Sequence, residues 1–196
     1  MLYKIFRFIG LIFIKLLFRA ELVGKENFPK EGPIIVAPNH KSNFDPIFVS
    51  CLIKPQIHWM AKKELYRSKI LGYIVDLMGA FPVDRQATDI KAIKKAMGIL
   101  KEKKVLGIFP EGTRVKNQDF SNPKSGVALI GHRTKSKIVP IYIDGNYKLF
   151  RKMRLVIRKP IDLSQTPKLN QKDYDDLALK ILKSIYGVDE DKSIGS

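Results

Sequence analysis

At 196 residues and 45% hydrophobic, with no repeat, low-complexity tract or long linker, the chain has the make-up of one globular domain with a substantial core, and a disordered or repeat architecture is excluded. Lys and Arg number 36 against 19 Asp and Glu, a formal net charge of +17, which calls for an anionic partner: nucleic acid, an acidic membrane or phosphorylated substrates. The single cysteine, Cys51, excludes an intrachain disulfide and a cysteine metal cluster, and a reducing compartment is the simpler setting.

Met1 to Ala20 is almost entirely apolar and aromatic, interrupted by Lys4, Arg7, Lys15 and Arg19. On a helix advancing about 100° per residue, these four cations fall within an arc of about 120°. Leu2, Ile5, Phe6, Ile9, Ile12, Phe13, Leu16 and Leu17 cover most of the remainder. A wide apolar face with a cationic edge suits a helix lying in the headgroup boundary of an anionic bilayer. The charges interrupt the run that a membrane span needs, and no small-residue cleavage pattern follows Phe18 as in a secretory signal. A helix packed on the protein's own core fits the same pattern; the size of the apolar face favours the membrane surface.

From Glu21 to Gly32 the chain reads as a connector, and then strand and helix patterns alternate. Strands are expected at Pro33–Pro38, Ile57–Ala61, Ala80–Val83, Val105–Phe109, Ile138–Ile143 and Leu155–Ile157. Helices are expected at Asp45–Ile53, Leu65–Met78, Thr88–Lys103, Ser125–Thr134 and Tyr174–Tyr186. The third of these is amphipathic, with Ile90, Ile93, Met97 and Leu100 at helical spacing and lysines opposite. The alternation predicts an α/β fold: a single layered domain with a largely parallel or mixed sheet flanked by helices. The expected divisions are an amphipathic membrane-surface helix at 1–20, the main domain at 21–187 and a frayed tail at 188–196.

The segment Asn39-His40-Lys41-Ser42-Asn43-Phe44-Asp45 places a histidine and an aspartate at the carboxyl end of the first apolar strand, where ligands bind in open α/β sheets. An imidazole with a carboxylate in reach can act as a general base, the carboxylate fixing its tautomer and stabilising the imidazolium. Between them, Ser42 reads as a capping or turn residue rather than a nucleophile. Cys51, within an apolar helix, reads as core.

Phe109-Pro110-Glu111-Gly112-Thr113-Arg114 leaves another strand end. Arg114 offers a planar fork for a phosphate, Gly112 permits close backbone approach, and Glu111 could bind a substrate hydroxyl or hold Arg114. Taken alone, this is first a structural Glu–Arg pair in a turn. Arg85 after Phe81-Pro82-Val83-Asp84, Lys62 and Lys63 after Ala61, and Lys124 before Ser125-Gly126 are further cations at strand exits or a helix start. Each alone reads as a solvated or paired surface charge; their repeated arrival favours a shared phosphate site. His58 and His132 are not spaced for a metal and read as structural or surface histidines.

In order, Asn39-His40-x-x-x-x-Asp45, Gly79–Arg85, Phe109–Arg114 and Val139-Pro140-Ile141 resemble the four motif blocks of the glycerolipid acyltransferase family, nearest to the bacterial 1-acyl-sn-glycerol-3-phosphate (lysophosphatidate) acyltransferases. The resemblance runs from about Leu22 to Leu163, and its first and third blocks are the specific ones. It implies that His40 and Asp45 are the catalytic pair, with Asn39 and Thr113 as motif support. It also implies that Arg85, Glu111, Gly112 and Arg114 bind the acceptor and its phosphate. Lys124 and Gly126 match a downstream lysine-glycine element, and Lys62 a basic position. The implied reaction moves an acyl chain from acyl-CoA or acyl carrier protein to lysophosphatidate, making phosphatidic acid. It needs no metal and no bound cofactor, and it takes place on the cytoplasmic face of an anionic membrane. Val115, Asn117-Gln118-Asp119 and Pro123 depart from the pattern on the acceptor side. Glycerol 3-phosphate and non-phosphorylated lysolipids are the alternative acceptors. A nucleic-acid partner is disfavoured because aromatics are not interleaved with the lysines, and a non-catalytic basic membrane protein would have no need of the four motif residues.

Overall fold

Ile34-Ile35-Val36-Ala37-Pro38 carries no polar side chain, and all five residues are buried in the computed structural model, as a strand covered on both faces must be. The structure describes residues 2–84, 89–115, 117–121 and 123–188. In chain order the elements are α1 (Leu2–Phe18), β1 (Glu21–Val23), β2 (Ile34–Pro38), α2 (Asp45–Leu52), β3 (Ile57–Lys62), α3 (Lys69–Leu77), β4 (Phe81–Val83), α4 (Ile90–Lys101), β5 (Val105–Gly107), α5 (Gly126–Arg133), β6 (Lys137–Asp144), β7 (Arg154–Ile157), β8 (Ile161–Asp162) and α6 (Gln171–Tyr186). The sheet order is β1-β7-β6-β2-β5-β3-β4, with β8 also on β6. Pairing is parallel except where β6 meets β7 and β8. The result is the layered α/β domain with a largely parallel sheet that the alternation implies.

The two-residue period of β2 divides the core. Ile34 and Val36 face a cluster with Phe48, Val49 and Cys51 of α2 and Ile14 of α1. Ile35 and Ala37 face the opposite cluster, with Ala92, Ala96 and Leu100 of α4, Val127 and Ile130 of α5, and Ile181 and Ile185 of α6. Helix starts are capped by side chains: Ser68 accepts from the Leu71 N–H, Asp89 from the Ala92 N–H, and Asn170 forms a reciprocal capping box with Asp173.

The element boundaries differ from the sequence reading in instructive places. The connector from Glu21 to Gly32 contains β1, a three-residue edge strand in register with β7, too short to show periodicity. The expected helix Leu65–Met78 is two pieces, a 3₁₀ turn at Lys63–Arg67 and then α3, because extended Ser68 interrupts it to cap the second. Strand β5 ends at Gly107, so Phe109 leaves the sheet to stack on Trp59. Helix α6 begins three residues before Tyr174, at Gln171, because Asn170 supplies its cap. Thr88, expected to open α4, lies outside the described residues, as does the tail from 189 onward.

Helix α1 exposes Leu2, Ile5, Phe6, Phe8, Ile9, Ile12, Phe13 and Leu16 while burying Ile14. Its cationic edge is thinner than the helical wheel implies. Arg7 Nε donates to the carbonyl of Ile53 (3.0 Å), the residue that follows α2, and Arg19 lies beyond the last helical residue of α1. No helix among the described residues is long and apolar enough to cross a membrane.

Two glycines separate packing from propensity. A Cβ at Gly107 would lie 2.3 Å from the Trp59 ring, whereas one at Gly98, inside α4, meets nothing within 4 Å. Gly107→Ala is expected to cost about 1–3 kcal/mol by overpacking, and Gly98→Ala to add up to about 1 kcal/mol through helix propensity. Denaturant titration followed by the emission of Trp59, the chain's one tryptophan, measures both; equal and negligible effects would refute the packing argument.

Candidate active site

Pro38 ends β2, and Asn39 continues its pairing by other means. The Asn39 N–H donates to Ile141 O (3.3 Å), its Oδ1 accepts from the Ile143 N–H (2.7 Å), and its Nδ2 donates to Ile143 O (3.3 Å). The buried amide therefore sets the direction in which His40 leaves the sheet. Asp45, the first residue of α2, has no solvent exposure. Its Oδ2 accepts from the Lys41 N–H (2.6 Å), the Ser42 N–H (2.7 Å) and His40 Nδ1 (2.9 Å), and its Oδ1 accepts from the Tyr147 hydroxyl (2.8 Å). Four donors at a helix amino terminus make a buried carboxylate tolerable. With Nδ1–H given to Asp45, Nε2 is the basic nitrogen of His40.

The imidazole is also held from beneath. It stacks on Phe109 at 3.9 Å between centroids, Phe109 stacks on Trp59 at 5.1 Å, and Trp59 Nε1 donates to Ser50 Oγ (2.9 Å). Ser42 takes a turn role: its Oγ accepts from the Phe44 N–H and its carbonyl from the Asp45 N–H. Cys51 is buried, and burial pushes its thiol up. His58 bonds Gly79 O, and His132 bonds the Tyr174 hydroxyl and Pro167 O.

The loop after β5 is joined to the His40 loop through the backbone. The His40 N–H donates to Glu111 Oε2 (2.7 Å), and the Val115 N–H donates to His40 O (2.9 Å). Tyr186, at the end of α6, donates to Glu111 Oε1 (2.6 Å). Glu111 thus ties the His40 loop to the end of α6, one oxygen to each, partners the sequence reading did not name for it. Burial holds this carboxyl above the usual range, against the lowering effect of the Tyr186 and His40 hydrogen bonds. Gly112 has φ +70°, and a Cβ there would lie 3.0 Å from Lys124 Cγ, so the glycine lets the lysine stem pack on this turn. Thr113 and Arg114 are exposed on the same loop.

Other cations expected at the site are arranged differently. Lys62 Nζ lies 3.7 Å from Glu64 Oε1, beyond the end of β3. Gly126 opens α5, and its missing Cβ faces open space. Arg85 lies outside the described residues.

A cleft of about 450 Å³ is lined by Lys41, Val115, Asn117, Gln118, Tyr142 and Tyr186. Lys41 Nζ sits 5.1 Å from the centre of the Tyr142 ring. Lys41, Tyr142 and Tyr186 line the cleft and Tyr147 bonds Asp45, and sequence reasoning singled out none of the four. Only Lys41, adjacent to His40, carried a local signal; the tyrosines arrive from remote elements. On the other side, Tyr147 packs edge-on against Phe18 of α1 and Phe48 of α2, and beside Phe44. The Phe150 N–H donates to Leu17 O, so the end of the apolar helix borders the dyad.

Comparison with known proteins identifies the family. The acyltransferase family model matches residues 19–144. The 1-acyl-sn-glycerol-3-phosphate acyltransferase of Bacillus subtilis is 35% identical over 159 residues, covering 78% of this chain and 79% of that protein. That of Streptococcus pneumoniae is 33% identical over 168 residues, covering 82% of this chain but 62%, less than two thirds, of the relative. The crystal structure of the 1-acyl-sn-glycerophosphate acyltransferase from Thermotoga maritima shares the fold, with a TM-score of 0.70 at 24% identity over 97% of this chain and 79% of that one. On the matched segment and these identities, the chain belongs to the acyltransferase family.

Proposed function

We propose that this protein transfers an acyl chain from an acyl thioester to the free hydroxyl of 1-acyl-sn-glycerol 3-phosphate, making phosphatidic acid. The observation that carries the reading is the buried His40–Asp45 contact of 2.9 Å, with the carboxylate fixed by further donors. His40 Nε2 accepts the acceptor's hydroxyl proton as the oxygen attacks the thioester carbonyl. The tetrahedral intermediate collapses with cleavage of the C–S bond, and the imidazolium returns the proton to the departing thiolate. Asp45 holds the tautomer and offsets the charge on His40. Burial and the adjacent Asp45 carboxylate push the Tyr147 phenol far above its ordinary value, so it stays a donor to Asp45.

The acceptor phosphate is bound by Lys41, Arg114 and Lys124; Arg85 and Lys62 are assigned to acceptor binding on the family resemblance alone. Arg114 supplies the bidentate fork. Such a surround favours a phosphate monoester over a neutral lysolipid. Either acyl-CoA or acyl carrier protein serves as the anionic donor, and a net charge of +17 attracts both. The apolar face of α1 lies in the headgroup layer of an anionic membrane on its cytoplasmic side, as a peripheral or monotopic attachment. Residues 21–187 form the catalytic domain and 1–20 its membrane helix.

Thiol release from acyl-CoA, with and without lysophosphatidate, tests the reading. Release is expected to require the acceptor and to vanish in His40→Ala; release without acceptor would identify a thioesterase, and release only with a neutral lysolipid would move the acceptor assignment. Asp45→Asn is expected to lower kcat by about 10²–10⁴-fold. Tyr147→Phe, which keeps the ring contacts, should lower kcat about 3–10-fold at unchanged KM, as loss of one hydrogen bond to a positioned carboxylate implies. For Arg114→Met the expected change lies in KM for lysophosphatidate, roughly tenfold or more; an effect confined to kcat would remove Arg114 from the phosphate site.

A further inference from the structure

Helix α3 is amphipathic in the wrong sense for a helix of a globular core. Ile70, Tyr73 and Ile74 recur at i, i+3 and i+4 and so form one stripe. That stripe faces outward: Ile70 is 77% exposed, Tyr73 66% and Ile74 43%. The buried residue of the helix is Gly72, which sits against Tyr66 of the preceding turn. Leu65 and Leu71 widen the exposed apolar surface. From Lys62 to Leu77 the charged residues are Lys62, Lys63, Arg67 and Lys69 against Glu64 and Asp76, an excess of cations beside the apolar stripe. Apolar residues flanked by lysine and arginine on a short surface helix match the headgroup boundary of an anionic bilayer.

The topology puts this helix beside the other exposed apolar surface. The crossovers β2–α2–β3 and β3–α3–β4 advance in the same direction across the sheet. Right-handed crossovers therefore place α2 and α3 on one face, the face that α1 also covers through Ile14. At the amino end of α2, on this same face, Phe44 and Ile47 are exposed as well.

We propose that α3 is a second membrane-contact element, its stripe of Ile70, Tyr73 and Ile74 entering the headgroup boundary of an anionic bilayer with Arg67 and Lys69 among the phosphates. The proposal rests on the membrane reading of α1 given above. Two contacts, one on either side of the His40 loop, fix the height and tilt of the dyad over the membrane. A lipid acceptor then reaches His40 without leaving its leaflet.

The test uses the full chain and vesicles of phosphatidylcholine and phosphatidylglycerol in equal parts. Tyr73→Trp places a reporter on the stripe, against a fixed background from buried Trp59. The expected result is a blue-shifted emission on adding vesicles, quenched by lipids brominated in the acyl chain. The double variant Ile70→Ser, Ile74→Ser should lower vesicle partitioning about tenfold or more with an unchanged melting transition. Vesicle binding with position 73 unshifted would overturn the role of α3 and leave that of α1 standing. No vesicle binding by the parent chain would overturn both. A blue shift without vesicles that grows with protein concentration would assign the stripe to a second copy and overturn the proposal.

Discussion

The structure depends on one fully buried carboxyl group, Asp45, having both oxygens satisfied by hydrogen bonds. Its oxygens accept from two successive backbone N–H groups, an imidazole and a phenol, and the same bonds close the turn that connects β2 to α2. The geometry of the loop and the placement of His40 against Asp45 are therefore one device. Leaving a buried polar group without its partner typically costs about 1–3 kcal/mol, so His40 and Asp45 stay together while the turn survives. His40 inherits its orientation from a group that the fold itself requires.

A second set of contacts keeps this turn at the right height above the sheet. Asn39 imitates a strand residue against Ile143, and Glu111 receives the His40 N–H. The aromatic stack beneath the imidazole ends at Trp59, whose ring occupies the space left by Gly107. Two of the supports, Tyr147 and Tyr186, lie beyond residue 144, outside the segment that the family model matches. His40 and Asp45 lie within the matched segment, and part of their bracing comes from the carboxyl-terminal elements.

How much of this was legible in the sequence followed the range of the interactions. The pattern of α4, with apolar residues at helical spacing, and the unbroken apolar run of β2 are local signals, and both elements were readable. So was the juxtaposition of His40 and Asp45, five residues apart on one loop. What escaped is long-range. β1 exists only because β7 lies beside it, Tyr147 reaches Asp45 across 102 positions, and Tyr186 reaches Glu111 across 75. No window of sequence contains such a pair. The partner of Arg7 escaped for a related reason: a helical wheel shows which side a cation takes, and the Ile53 carbonyl just after α2 supplies its acceptor.

The pairing of β1 with β7 has a consequence for how the chain is made. Glu21 lies opposite Arg154, so an early strand finds its place only when the carboxyl-terminal part of the sheet is available. Sheets that join distant segments close late, and a chain leaving the ribosome presents its amino terminus first. Helix α1, with its greasy face, is therefore synthesised well before the strand that anchors the chain just after it. On the proposed membrane reading of α1, a bilayer next to the ribosome would meet this helix before the rest of the domain could shield it, and would act on folding as well as on attachment.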